Sequence, residues 1–392
     1  MNDLWAKQKL EMKKAYLFLL FFIISCSKNE NSNDIKFKEI KFETTDLSLK
    51  DSIDFKFIPL ETNEECLIGI AEDIQMVDDR ILILEGKSSE NLYVFDLDGK
   101  FIANVGQKGN GPGQYSRIFS FDIDQESRSI IISDRYLEKL LFYDLDSYQF
   151  KYSRNTKFYY NAFLHLPHGD QIFLGYKGFK NPTDRKDLNS YYVYVTDSLL
   201  NPTKSFYKAD FQTSYSLTGG KSNLYSYNGD TYIYHHLFPY IYKLEDNNMN
   251  PTYKIELEGY VFPTIDFLKQ CSGDDKDYAA SLIKSEYVTN YRIDECTSMI
   301  CLSFQKNNQL FYGLYNKKSE KGYLFDLPKY FSTMGLGVLV RPRSATDEYL
   351  IAQINIEENS HKYIKHNSQL MKITANRSMD ENPIICLYKW KN

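Results

Sequence analysis

From about residue 50 onward the chain alternates apolar and polar residues in short runs, the period of two expected of half-buried strands. Ile81-Leu82-Ile83-Leu84 is a continuous apolar run, and residues 91–105 read as strand, Asp98-Gly99 turn and strand. An Asp-Gly pair between two such runs is a hairpin signal, because those residue types tolerate the positive φ of the turn. Residues 119–124, 129–134, 139–146 and 148–152 then give four successive strands, a spacing that matches a four-stranded propeller blade of roughly 40–45 residues.

Looser units follow over 160–207, 224–257 and 299–327, and a last one holds runs at 337–340, 349–354 and 383–388. The fold class predicted is all-β, a six-bladed β-propeller. At about 57 residues per unit the chain exceeds what a bare blade needs, so short insertions are expected. Helices are predicted at 266–269 and 278–283, a polar loop at 179–189 and a further insertion at 362–370, none apolar enough for a core of its own. A ring must also close. Phe55-Lys56-Phe57-Ile58-Pro59-Leu60 is a strand ahead of the first unit, and the last unit is one strand short. The N-terminal strand is therefore expected to complete the last blade beside 384–388. It should lie outermost, because Pro59 cannot donate a ladder hydrogen bond and suits an edge. Closure of this kind removes sheet edges that invite aggregation.

Composition narrows the class further. The 392 residues are 43% hydrophobic and 25% charged, which fits a globular chain and excludes a disordered one. The 33 tyrosines and 26 phenylalanines favour strands. A formal net charge of −5 argues against nucleic acid as a partner, since phosphate binding needs a basic face.

The N-terminus speaks to compartment. Lys13-Lys14 precede an apolar run over residues 15–24 that ends at Ser25-Cys26. That run is shorter than the roughly 20 apolar residues of a spanning helix and has the layout of a secretory signal, with Met12 as its natural start. Ile23-Ile24-Ser25-Cys26 resembles a relaxed bacterial lipobox, which implies lipidation of Cys26. The expected division is a signal peptide over 1–25, a lipidated flexible tether over 26–50 and the propeller over 51–392. The expected location is the cell envelope, anchored to a membrane through acyl chains and facing the periplasm or the outside. Apart from Cys26, five cysteines remain, Cys66, Cys271, Cys296, Cys301 and Cys386, so at least one thiol is unpaired within the chain. They read as small buried hydrophobes. A Cys66–Cys386 bridge at the seam is not expected, because Cys66 lies six residues past the closing strand.

The sharpest local motif is Gly106-Gln107-Lys108-Gly109-Asn110-Gly111-Pro112-Gly113-Gln114-Tyr115. A phosphate loop is excluded: no Ser or Thr follows a Gly-Lys, the next element is a strand, and Pro112 lacks an N–H for the cradle. Gly106, Gly109, Gly111 and Gly113 are read as a connector between blades. With Asp122-Ile123-Asp124, Ile132-Ser133-Asp134 and Leu141-Phe142-Tyr143-Asp144, this segment resembles an NHL repeat. More closely, the chain resembles the six-bladed β-propeller lipoproteins of Bacteroidetes-type bacteria, with Ile58-Pro59-Leu60-Glu61-Thr62 and Asn382-Pro383-Ile384 similar to that family's terminal strands. The resemblance implies the fold and, the family being of uncharacterised function, carries no catalytic residues with it; the role expected of the chain is an extracytoplasmic binding or scaffold module in envelope nutrient uptake or sensing. Related NHL-like propellers include lyases and lactonases, so a hydrolase or lyase with a metal in the central channel is the alternative.

No reaction is legible in the residues themselves, and no cofactor is predicted. His165 and His168 are spaced H-x2-H; His235 and His236 are adjacent and, on a strand, would point to opposite faces. Asp122, Asp124, Asp134, Asp144 and Asp146 recur at strand ends, where turn formation explains them. Tyrosines crowd residues 225–242 and 159–194, as inter-blade packing or as a surface for a sugar or peptide. The first strand of each blade lines a propeller's channel. Arg117, Asn161, Asn223, Tyr225 and Arg292, near the starts of the inferred inner strands, are the expected binding residues for an unidentified small-molecule, glycan or protein ligand.

Overall fold

A computed structural model describes residues 37–86, 89–156, 160–175, 191–208, 223–246, 248–271, 280–357, 363–364 and 367–391. The alternating runs form six four-stranded antiparallel units. Blade one holds Ala71–Val77, Arg80–Glu85, Leu92–Asp96 and Phe101–Asn104, and blade two holds Ser120–Asp124, Ser129–Asp134, Lys139–Asp144 and Phe150–Asn155. Blade three holds Tyr160–His165, Gln171–Gly175, Tyr191–Thr196 and Pro202–Lys208. Blade four is Leu224–Tyr227, Asp230–Tyr234, Tyr240–Glu245 and Asn248–Leu257; blade five is Thr289–Glu295, Met299–Lys306, Gln309–Asn316 and Lys321–Asp326. Blade six joins Pro342–Ala345, Leu350–Ile354 and Ile384–Trp390 to the early strand Ile53–Pro59.

The ring closes as the sequence predicts. Ile53–Pro59 pairs antiparallel with Ile384–Trp390, from Ile53 opposite Trp390 to Pro59 opposite Ile384, and is the edge of that sheet. Asn382 fastens the seam. Its Oδ1 accepts the Ile68 N–H at 2.7 Å, and its Nδ2 donates to the carbonyls of Glu61 (2.5 Å) and Cys66. Arg377 adds donors to the carbonyls of Leu60 and Asn382. Cys66, Cys271, Cys296, Cys301 and Cys386 are all free thiols, and burial pushes each one's pKa up.

Two expectations need correction. The tether does not run to residue 50: Lys38–Thr44 is a strand lying parallel to the outer strand of blade four (Lys38 opposite Tyr253 through Phe42 opposite Leu257) and then to that of blade five (Glu43 opposite Tyr323). Its alternate residues Ile40 and Phe42 are buried between the two blades. Gly322 permits this, since a Cβ there would meet the Lys41 carbonyl oxygen at 2.0 Å. The inner strand of blade six is Pro342–Ala345, not the apolar run at 337–340, because the strand that faces the channel is polar.

Among the described residues the apolar side chains form six layers, one between each pair of neighbouring blades, such as Ile131, Phe142, Phe163 and Phe173 between blades two and three, and a smaller cluster of Leu237, Leu268 and Leu282. The crowded tyrosines of blade four belong to such a layer: Tyr225 stacks on Tyr232 at 5.0 Å, and Tyr234 packs on Tyr291 of blade five at 4.8 Å. Packing geometry of this kind favours aromatic pairs. Helices occupy Ile265–Gln270, residues 280–283 and Ser368–Thr374, near the predicted insertions, and also Leu327–Met334, which is capped by Asp326 accepting the Lys329 N–H. The loop predicted at 179–189 and the signal and tether residues up to 36 lie outside the described residues.

Candidate functional site

Each inner strand has one edge paired within its blade and one facing the axis, where its N–H and C=O groups need other partners. At five of the six blade boundaries, among the described residues, a hydrogen bond from one blade to the next supplies one. Ser344 Oγ donates to the Ile74 carbonyl, Gln75 Nε2 to the Phe121 carbonyl (3.0 Å), and Arg292 Nη2 to the Arg343 carbonyl. Asp122 Oδ2 accepts the His165 N–H (2.6 Å), and the Tyr234 hydroxyl accepts the Ile293 N–H (3.0 Å). These bonds hold open a central cavity of about 1350 Å³ lined by the inner strands of all six blades.

Arg117, Tyr225 and Arg292 line this cavity. All three are already engaged by the protein. Asp134 fixes the Arg117 backbone by accepting the Ser116 and Arg117 N–H groups, and the guanidinium pairs with Glu90 at 2.9 Å. Arg292 grips Asp294 with two nitrogens, at 2.9 and 2.8 Å. Burial pulls its pKa down, but Asp294 more than offsets this and the guanidinium stays charged. The Tyr225 hydroxyl donates to Glu295 at 2.8 Å, and burial followed by that carboxylate pushes the phenol up. Glu295 also accepts from Tyr253 and pairs with Lys317 at 2.6 Å. Asn223 is a correction: it is buried behind the channel wall, donating to the Tyr234 carbonyl, because the inner strand starts one residue later. Asn161 lies in the inner strand of blade three, and its side chain is outside the described residues.

The glycine motif lies between Phe101–Asn104 of blade one and Ser120–Asp124 of blade two. Gly106, Gly109 and Gly113 have positive φ, whereas Gly111 does not. Cβ atoms at Gly106 and Gly113 would strike Tyr143 and Phe150, and the Tyr143 hydroxyl donates to the Gly113 carbonyl at 2.9 Å. The loop thus carries the chain from the outer edge of blade one onto the inner strand of blade two.

The histidines behave differently from their sequence reading. His235 and His236 follow the strand instead of lying in it, so their rings do not oppose; they stack at 5.0 Å, both buried. Burial lowers both, His236 to about 4 and His235 well below its ordinary value, with the charge of His236 adding to the effect on His235. His165 is the one the sequence undervalued. Its ring lines the channel, with Nε2 at 3.3 Å from Asp124 Oδ1 and Nδ1 accepting from Gln171 Nε2 at 2.8 Å. Gln171 Nε2 also reaches the Gly169 carbonyl, which orients the amide and leaves the His165 proton on Nε2. Burial pushes Asp124 up, but hydrogen bonds from Ser127 outweigh it and the carboxyl sits below its ordinary value. Asp134 and Asp144 accept nearby N–H groups in turns, as expected. Among the described residues no group of three or more His, Cys, Asp and Glu side chains is placed to hold a metal ion.

One channel cation escaped the sequence reading altogether. Arg343 sits in the inner strand of blade six, half-buried, with its carbonyl held by Arg292. Burial, then the charges of Arg341 and Arg292, press its pKa below the usual arginine value.

The chain is similar in structure to a protein from Bacteroides fragilis NCTC 9343 named as exported, at 26% identity and TM-score 0.82, covering 91% of this chain and 100% of that one. A member of the duf4221 family from Bacteroides vulgatus ATCC 8482 shares the fold at 13% identity and TM-score 0.55, covering 88% and 99%. No curated protein matches the chain. The profile of the 6-bladed beta-propeller family matches residues 25–353, and with six blades closed by Ile53–Pro59 the chain belongs to that family.

Proposed function

We propose that the protein is a lipid-anchored binding module of the cell envelope whose central channel takes a polar ligand. The observation that carries this reading is the cavity itself: about 1350 Å³, walled by all six inner strands, with its polar groups held in place by bonds between blades. Preorganised polar groups in a concave site are what orient a ligand. The volume exceeds the roughly 300–1,000 Å³ of drug-sized sites, which favours an oligosaccharide or a peptide-sized molecule. Envelope location is supported by the signal-like run ending at Cys26 and by the Bacteroides fragilis relative named for export.

Ser226 faces the cavity and is exposed, so Ser226→Trp fills space without disturbing a core. A thermal-shift screen of sugars, uronates and amino acids tests the reading. Compounds that stabilise the wild type should lose their effect in Ser226→Trp; stabilisation untouched by the plug would place the site elsewhere. Stoichiometric, tightly held calcium or zinc in the purified protein would favour the hydrolase or lyase instead.

A further inference from the structure

We propose that Arg343, with Arg341 beside it, receives an anionic group of the channel ligand: a carboxylate, sulfate or phosphate. This rests on the channel being the ligand site. The other arginines that line the channel are each paired with a carboxylate, Arg117 with Glu90 and Arg292 with Asp294. Lys56, which also borders the cavity, is exposed on the outer strand of blade six. Arg343 lines the same cavity and makes no side-chain hydrogen bond or ion pair among the described residues. A half-buried guanidinium without a counter-charge is unfavourable, and neighbouring positive charges from Arg341 and Arg292 aggravate it. Glu72 of the adjoining blade is within electrostatic reach but forms no ion pair with it among the described residues.

A second observation falls nearby. The Tyr312 hydroxyl is fully buried and has no hydrogen-bond partner among the described residues. Its ring stacks at 4.1 Å on Tyr330, whose hydroxyl donates to the Val340 carbonyl, one residue before Arg341. The charges of Arg341, Arg343 and Arg292 all act on it. Arg343 thus faces the cavity with the exposed Arg341 two residues before it, and the unpartnered Tyr312 phenol lies in the neighbouring blade, outside the cavity lining. Arginine's planar fork binds oxyanions in two-point fashion, which an ammonium cannot do.

The test titrates sodium sulfate and sodium glucuronate in separate arms, against chloride at constant ionic strength, and follows thermal stability of the wild type, Arg343→Gln, Arg343→Lys and Lys318→Gln. A saturable stabilisation of the wild type by at least one anion is expected. Arg343→Gln should weaken it about tenfold or more, Arg343→Lys should fall between, and Lys318→Gln, on an exposed turn outside the channel, should match the wild type. The two arms separate a free oxyanion from a sugar carboxylate. Equal response in Arg343→Gln, or no response beyond chloride in the wild type, overturns the proposal. A neutral sugar whose effect is lost in Ser226→Trp but kept in Arg343→Gln would leave the channel reading standing and overturn this one alone.

Discussion

Replacing Asn382 by alanine should open the ring at its seam. Asn382 is 2% exposed, and its side chain bonds three backbone groups, of Ile68, Glu61 and Cys66, that tie the last blade to the loop after the closing strand. Its backbone N–H, donating to Thr62 Oγ1 at 2.8 Å, survives the substitution. Each side-chain bond contributes about 1 kcal/mol net, and a stranded buried N–H at Ile68 adds about 1–2 kcal/mol, for a loss of about 4 kcal/mol. With an unfolding entropy of about 2.1 cal/mol/K per residue, that corresponds to a Tm lower by roughly 5 °C if unfolding stays cooperative. Calorimetry and urea unfolding measure the loss, and limited proteolysis between residues 60 and 68 reports whether the strand detaches. A change within about 0.5 kcal/mol, the scatter of ordinary surface substitutions, with unchanged proteolysis, would refute the assignment of the seam to Asn382.

Phe42→Ala should destabilise the protein by about 3–5 kcal/mol, as for other buried phenylalanines, because Phe42 is packed between blades four and five; urea unfolding reads it, and a loss under 1 kcal/mol would mean that Lys38–Thr44 is dispensable. The buried histidines predict acid sensitivity. His235 and His236 have lowered native values, His236 about 4, so below the ordinary 6.5 the unfolded chain takes up protons that the native one refuses. Stability should be intact above pH 6.5 and fall as pH drops from there toward 4, by at most about 1.4 kcal/mol per pH unit for each histidine. His236→Gln should show a shallower fall in urea midpoints over that range, and an identical slope would contradict the burial argument. Cys26→Ala should release the protein from membrane fractions or block its maturation, and unchanged membrane retention would remove the anchor from the account.

Much of the fold was legible because strand alternation and turn chemistry are local. Ring closure was legible too, since Pro59 announces an edge and the last unit lacks a strand. What escaped has a common cause. Inner strands face a polar channel, so they carry little apolar signal; Pro342-Arg343-Ser344-Ala345 was passed over for the more apolar 337–340, and Arg343 went with it. Lys38–Thr44 holds only Ile40 and Phe42 among charged residues, yet their i, i+2 spacing was a usable strand signal. The bonds between inner strands join residues far apart in sequence, such as Ser344 with Ile74 and Arg292 with Arg343, and no local pattern marks them. For the same reason Arg117, Tyr225 and Arg292 could be placed on the channel wall from strand position, while their engagement with Glu90, Glu295 and Asp294 could not.

The central claim, that the channel is the ligand site and Arg343 its anion receptor, is tested most directly by crystals soaked in sodium selenate. Selenium identifies the anion by its anomalous scattering. The account predicts an anomalous peak inside the channel within hydrogen-bonding distance of the Arg343 guanidinium, absent from Arg343→Gln crystals soaked identically. Selenate bound on the outer surface while the channel beside Arg343 stays free of it would contradict the claim.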